Sequence, residues 1–335
     1  MPEHPSHARK RKLLLRAAAK VNLHLRVAPP DESGYHPLMS WMCTVGLFDT
    51  LTLERAEGDE QIGPAAPDRA AADALVHLEC DDPSLPRDKT NLAVRAAIAV
   101  IDALRSEQQT PRQSWPHNQP LLRIWLEKRI PVGGGLGGGS ADAARVLLGL
   151  NRLLELNWPI DRIRAIAATL GSDVPFFLEG PSGVVTGRGQ VVRPLPPPRP
   201  RWVVLVLPGY GIPTRDVYRT FDELRLGDRQ AVDAQPDWNQ WTELSAGPLM
   251  QRLINDLEPA AFALCPRLAN LRQQLEQALA RPVRMSGSGS SLFTLFDNFD
   301  EAQDAVARIT NSWPVKALAT SVAPAPEDDL ADQAN

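Results

Sequence analysis

A chain of 335 residues exceeds one ordinary domain and suits two, each with enough chain to bury a core. At 43% apolar and 23% charged residues, with a formal charge of −4, it is neither a disordered chain nor a general nucleic-acid binder. No run of about eighteen apolar residues offers a membrane span, and Cys43, Cys80 and Cys265, which form no C-x-x-C, are expected to be free thiols in the cytoplasm.

Residues 1–11 are basic and read as a short disordered tail, because the apolar run at 13–15 is too brief for a signal-peptide core. Lys12–Val27 reads as a strand: Val21, Leu23, Leu25 and Val27 alternate with Lys20, Asn22, His24 and Arg26. Spacing alone would leave that polar face in solvent. A turn, Ser33-Gly34-Tyr35-His36, then sets an aromatic ring beside a histidine, and a second strand follows over 42–53. Tyrosine offers a stacking face and histidine both donates and accepts. Residues 57–74 read as an insertion loop, Asn91 as the N-cap of a helix over 93–104, and residues 106–120 as a second insertion.

A strand over 121–130 carries Lys128, a residue that spacing would leave solvated, and feeds the run PVGGGLGGGSADAARVL at 131–147. Its glycines, Gly133, Gly134, Gly135, Gly137, Gly138 and Gly139, admit positive φ and let backbone N–H groups converge on an anion. Ser140 is expected as the N-cap of the next helix, with Asp142 in the first turn and Ala143, Leu147, Leu150 and Leu154 on a buried face. Free N–H groups and the helix dipole together make a phosphate pocket. No lysine follows Gly139, so the run is not G-x-x-x-x-G-K-[ST]. Gly133, Gly135 and Gly138 satisfy G-x-G-x-x-G, but no second strand ending in an acidic residue follows at the dinucleotide spacing. No H-R-D or D-F-G accompanies it either, which removes the protein-kinase loop.

Ile160–Leu170 reads as a helix ended by Gly171, and Asp173 follows ahead of an apolar Val-Pro-Phe-Phe segment. Read alone, Asp173 is a cap or turn residue. A strand and turn at 183–189 precede a proline-rich boundary at 194–200. Beyond it come a strand at Trp202–Leu207, a helix opened by Thr214 and carrying Tyr218, a loop over 224–241, and helices at 249–256 and 268–280. A Ser/Gly cluster at 285–291, the strand Leu292–Phe296, a helix at 302–309 and an acidic tail at 323–335, expected to be disordered, complete the chain.

The glycine run resembles the second motif of the GHMP kinases through Pro131, Gly133, Gly135, Leu136, Gly137, Gly139 and Ser140, and residues 285–291 resemble the third. Ala19-Lys20-x-Asn22-Leu23, the pair Tyr35-His36 and the phrase G-S-D-V-P-F-F at 171–177 resemble one branch, the diphosphocytidyl-methylerythritol kinases. Ser33 departs from that pattern, standing where the branch carries aspartate, and residues 28–32 lack its usual basic residue.

The resemblance implies an α+β, two-domain GHMP kinase fold: an ATP-binding and catalytic part over 12–195 and a ferredoxin-like part over 200–320. It implies ATP-dependent phosphorylation of the 2-hydroxyl of a cytidine diphosphate substrate, in non-mevalonate isoprenoid synthesis. Lys20 and Asp173 would be catalytic; Asn91, Leu92 and Lys128 would border the adenine. Pro131, Gly133, Gly134, Gly135, Leu136, Gly137, Gly138, Gly139 and Ser140 would hold the nucleotide phosphates, and Asn22, Tyr35, His36, Thr214 and Tyr218 the substrate. Mg²⁺ would accompany ATP with Ser140 as an oxygen neighbour and no assigned protein ligand. The enzyme is expected to be a cytoplasmic monomer or weak homodimer without nucleic-acid or membrane partners. A homoserine- or mevalonate-type kinase, a nucleotide-binding sensor and a dinucleotide-dependent oxidoreductase are the competing readings.

Overall fold

The computed structural model describes residues 12–55, 75–107 and 122–330. The insertion expected at 57–74, most of the one at 106–120, and the ends at 1–11 and 331–335 lie outside these residues.

The first half contains β1 (Lys12–Val27), β2 (Leu38–Arg55), β3 (Val76–Cys80), α1 (Leu92–Glu107), β4 (Leu122–Glu127), α2 (Gly138–Leu153), α3 (Ile160–Leu170), α4 (Phe176–Glu179), β5 (Ser182–Gly187) and β6 (Val191–Pro194). β1 and β2 pair antiparallel along nearly their full length. β4 pairs with Thr50–Arg55 of β2 and β5 with Leu38–Cys43; β3 extends the sheet beside β4, and β6 beside β5. Apolar faces of α1, α2 and α3 close over Leu13, Leu15, Leu51, Leu53 and Ile124.

β1 was legible to the residue, but its polar face is not in solvent. Register shifts at Ala18/Ala19 and Asn22/His24 interrupt the ladder, and Lys20, Asn22 and His24 are all buried. Bulges of this kind re-aim side chains beside functional sites.

The second half contains β7 (Trp202–Leu207), α5 (Thr214–Glu223), α6 (Arg229–Asp233), α7 (Trp238–Thr242), α8 (Ala246–Arg252), α9 (Glu258–Leu264), α10 (Pro266–Leu279), β8 (Arg284–Met285), β9 (Leu292–Phe296), α11 (Phe299–Ser312) and β10 (Lys316–Ser321). Its antiparallel sheet runs β10-β7-β9-β8, the strand order of a ferredoxin-like fold. The loop expected over 224–241 contains α6 and α7, which are too short to show a period. Asp228 and Asp237 cap them, and Trp238 and Trp241 pack around His24. α8 starts at Ala246, α9 was not anticipated, and α10 begins at Pro266, where proline suits a first helical position.

Each half buries a core of its own, the first around Leu13, Leu51 and Leu147 and the second around Val217, Leu268 and Ile309, and a further cluster joins them, where Ala19, Val21, Leu23 and Val45 meet Val203, Leu205, Leu249 and Phe293. One further expectation fails: the chain after 323 is not a loose tail as far as it is described. Ala323 N–H donates to Thr44 O, and the Asp328 and Asp329 carboxylates accept from Arg16 and Leu14 N–H at 2.9 and 2.7 Å. Asp328 also pairs with Arg145, and Leu330 packs on the helical core. The acidic composition that suggested solvation instead caps an open strand edge. No described helix is long and apolar enough to cross a membrane.

Candidate active site

Lys20 is the hub. Its ammonium is almost fully buried, donates to Gly135 O at 3.0 Å and to Asn22 Oδ1, and lies 3.6 Å from Asp173 Oδ2. Its backbone N–H donates to Leu136 O at 2.9 Å, so strand and glycine loop are joined at this residue twice. Asn22 has both ends of its amide engaged, Oδ1 by Lys20 and Nδ2 by Ser40 Oγ at 2.8 Å. It fixes the lysine before it could meet any substrate.

The glycine loop turns through positive φ at residues 133, 135 and 137, which turns successive N–H groups toward one side. Gly135 is forced by its surroundings: a Cβ there would stand 2.1 Å from Ser286 O. The loop is thus pressed onto the Ser/Gly cluster after β8. Ser286 Oγ accepts from Asn22 N–H at 3.2 Å and donates to Gly135 O at 2.9 Å, and Ser291 N–H donates to Gly134 O. Ser140 is not the N-cap. α2 starts at Gly138 with Gly137 as its cap in the left-handed region, so Ser140 lies in the first turn with its hydroxyl released from capping, and Asp142 one residue beyond that turn. Conformation chose the cap here, where side-chain preference would have chosen serine.

Asp173 occupies the turn between α3 and α4, about a third exposed, with Val174 and Phe176 buried just after it. Gly171 does end α3, but in extended backbone that needs no glycine. Tyr218 lies near Asp173: burial first, and that negative charge second, push its phenol up to about 12. His36 stands beside Tyr218, ring centroids 4.9 Å apart, and beside Phe221. Thr214 at the head of α5 shares a hydrogen bond of 2.8 Å with Ser288. Tyr35 is more exposed than buried.

Asn91 caps α1, accepting from Ala93 N–H at 2.9 Å, and Leu92 Cδ1 borders Gly139 at the head of α2. Lys128 is not solvated. It follows β4 and pairs with Asp49 and, at 2.9 Å, with Asp142, all three buried directly behind Gly138. Burial pushes the Asp142 carboxyl up against the opposing pull of Lys128, and its Oδ1 has no partner among the described residues.

Known proteins carry the same pattern. Family models described as the GHMP kinases N terminal domain and the GHMP kinases C terminal match residues 91–181 and 242–315. A 4-diphosphocytidyl-2-C-methyl-D-erythritol kinase of Desulfotalea psychrophila is 38% identical, covering 85% of this chain and 86% of its own; one of Nocardioides sp. is 37% identical, covering 92% and 96%. The chain belongs to this kinase family. A crystal structure of a 4-(cytidine 5'-diphospho)-2C-methyl-D-erythritol kinase superposes with a TM-score of 0.69 at 33% identity over 93% of this chain and all of that one. A homoserine kinase from Cytophaga hutchinsonii, at 20% identity and a TM-score of 0.65 over 97% of this chain and all of that one, shares the two-domain GHMP kinase fold.

Against the family pattern, two residues that sequence reasoning missed stand at the Tyr35-His36 turn. Arg188, from the β5–β6 hairpin, lies 4.1 Å over the Tyr35 ring and donates to Ser33 Oγ. A guanidinium therefore reaches the turn from another part of the chain, although residues 28–32 lack a basic residue. Asp31 supplies the missing carboxylate of the turn, accepting from Ser33 and Tyr35 N–H. Asp222 on α5 meets His36 Nε2 at 2.7 Å, and its carboxylate accepts from the N–H of that ring nitrogen. No local sequence signal marked Arg188 or Asp222.

Proposed function

We propose that the chain transfers the γ-phosphoryl group of ATP to the 2-hydroxyl of 4-diphosphocytidyl-2-C-methyl-D-erythritol, a step of non-mevalonate isoprenoid synthesis. One observation carries the reading: Lys20 joins the phosphate loop, through Gly135 O, to the carboxylate of Asp173. Phosphoryl transfer asks mainly for positioning and charge stabilisation. The loop N–H groups and the head of α2 hold the nucleotide phosphates, with Asn91 and Leu92 beside the base. Asp173 orients the attacking hydroxyl or accepts its proton, help worth roughly 10²–10⁴-fold. Lys20 offsets the charge of Asp173 and leans toward the transferring group. Tyr35, His36 and Tyr218 take the cytosine, the rings by stacking and the histidine by hydrogen bonding to its polar edge.

The donor set suits Mg²⁺. Among the described residues no group of three or more His, Cys, Asp or Glu could cage a metal, and Mg²⁺ is ordinarily held by substrate phosphates, water and one or two protein oxygens. Ser140 would supply such an oxygen, and the ion would neutralise charge on the phosphate groups. In this reading the enzyme works in the cytoplasm as a monomer or weak homodimer.

The test is ADP release with Mg-ATP and each of three alcohols: the cytidylyl substrate, homoserine and mevalonate. Turnover on the first alone is expected. Turnover on another alcohol would keep a kinase and remove the cytosine pocket. Tyr35→Ala and His36→Ala should then raise KM for the cytidylyl substrate and leave KM for ATP unchanged; equal effects on both would refute that pocket.

A further inference from the structure

The segment between α8 and α9 has no part in the site as described, yet it grips both elements that hold Lys20. Leu25 N–H donates to Ile254 O at 2.8 Å and Asp256 N–H to Leu25 O at 3.0 Å, a short parallel bridge on the free edge of β1. The Asp256 carboxylate accepts from Val27 N–H at 3.0 Å and meets Arg26 at 3.2 Å. On its other side the segment takes hold of the Ser/Gly cluster. Asn255 Nδ2 donates to Met285 O and to Gly287 O, both at 2.8 Å, while its Oδ1 accepts from Leu257 N–H at 2.9 Å. Glu258 Oε1 accepts from Met285 N–H at 2.8 Å.

Between these grips lies the chemistry. Ser286, flanked by the two carbonyls that Asn255 holds, ties Asn22 N–H to Gly135 O. A Cβ on Gly287 would stand 3.1 Å from Asn22 Oδ1 and 3.5 Å from Lys20 Nζ, so this backbone forms one wall around the lysine. Asn255 is 4% exposed, and water cannot take over two carbonyls at that depth without a cavity to enter. A planar amide with two donors and one acceptor is the one side-chain group that satisfies all three partners at once. Aspartate of the same shape would set negative charge against two carbonyl oxygens.

We propose that Asn255 is a positioning residue for phosphoryl transfer: its amide sets the distance between β1 and the Ser/Gly cluster, and thereby the placement of Lys20 against Gly135 and Asp173. The proposal rests on the kinase reading. Displacements of about 1 Å at such a remove can cost on the order of 10²-fold in rate.

The experiment is a double-mutant cycle on kcat, measured well below the unfolding temperature and normalised to nucleotide-binding sites. Asn255→Ala is expected to lower kcat roughly 10–100-fold while KM for ATP moves less than about threefold. In a Lys20→Met background the same change should cost almost nothing further, because the group it positions is gone. A merely structural asparagine would lower kcat by the same factor in both backgrounds, or leave it unchanged per folded site; either result overturns the proposal. If Asn255→Ala does not fold, Asn255→Ser, with one donor for two carbonyls, enters the same cycle with a smaller expected loss. A parent enzyme without turnover would refute the kinase reading, whereas an active parent with an additive cycle would refute this inference alone.

Discussion

Replacing Gly135 by alanine tests how the glycine loop is supported. The residue has φ +77°, where a Cβ costs roughly 1–2 kcal/mol. The added carbon would stand 2.1 Å from Ser286 O and 3.1 Å from Gly289 O, so the Ser/Gly cluster must withdraw by about 1 Å before contact becomes tolerable. Both neighbours are backbone and cannot swing aside. Overpacking of this kind adds roughly 1–3 kcal/mol, for a total of about 2–5 kcal/mol of lost stability. The same retreat pulls Ser286 off Gly135 O and disturbs Lys20, for an expected fall in kcat on the order of 10²-fold. Urea unfolding and steady-state turnover read the two effects separately. Gly247→Ala is the control: it lies in α8 with nothing within 4 Å of its Cβ, and should gain roughly 0.5–1 kcal/mol with unchanged turnover. A Gly135→Ala enzyme within twofold of the parent in kcat and unshifted in urea midpoint would refute the account of the loop.

Lys20→Met should lower kcat by roughly 10²–10³-fold with nucleotide binding retained by isothermal titration, as expected when a charge aimed at the transition state is lost; near-parent kcat would remove Lys20 from the chemistry. Asp222→Asn should weaken the hold on His36 and raise KM for the cytidylyl substrate several-fold, with KM for ATP unmoved. Burial first, and Arg26 second, depress His24 from 6.5 to about 3. The unfolded chain then binds the proton and the folded one does not, so stability is full above pH 6.5 and declines as pH falls toward 3. The His24 share of that loss should be about 1.4 kcal/mol by pH 5.5, and His24→Asn should flatten the slope of urea midpoint against pH. Asp328→Ala strands the largely buried Arg145 and should cost about 3 kcal/mol in unfolding experiments with kcat unchanged.

The parts of the site written contiguously were legible. The glycine run carries its signal in its own residues, whereas Lys20 and Asp173 were marked only by the family phrases around them, spacing alone reading the first as solvated and the second as a turn residue. Burial was not legible, because what covers Lys20 and His24 comes from residues 135, 238 and 287. Lys128 read as solvated because neither of its carboxylates lies within a helical turn of it. Ser140 misled for the opposite reason: serine is a favoured cap, but the loop's φ alternation had already ended at Gly137. Arg188 and Asp222 reach the Tyr35-His36 turn from more than 150 positions away, a distance over which no spacing rule operates.

The order in which a ribosome delivers these pieces matters. β1 leaves the exit tunnel first, yet its edge at Leu25 waits for Ile254, its partner strand waits at Thr44 for Ala323, and Leu14 waits for an aspartate 315 positions later. With the central core drawn from both halves, the nascent first half holds Val21, Leu23 and Val45 uncovered until nearly the whole chain has emerged. Folding of this topology therefore waits on residues up to Asp329, and the apolar strands of the first half need protection until those residues are available.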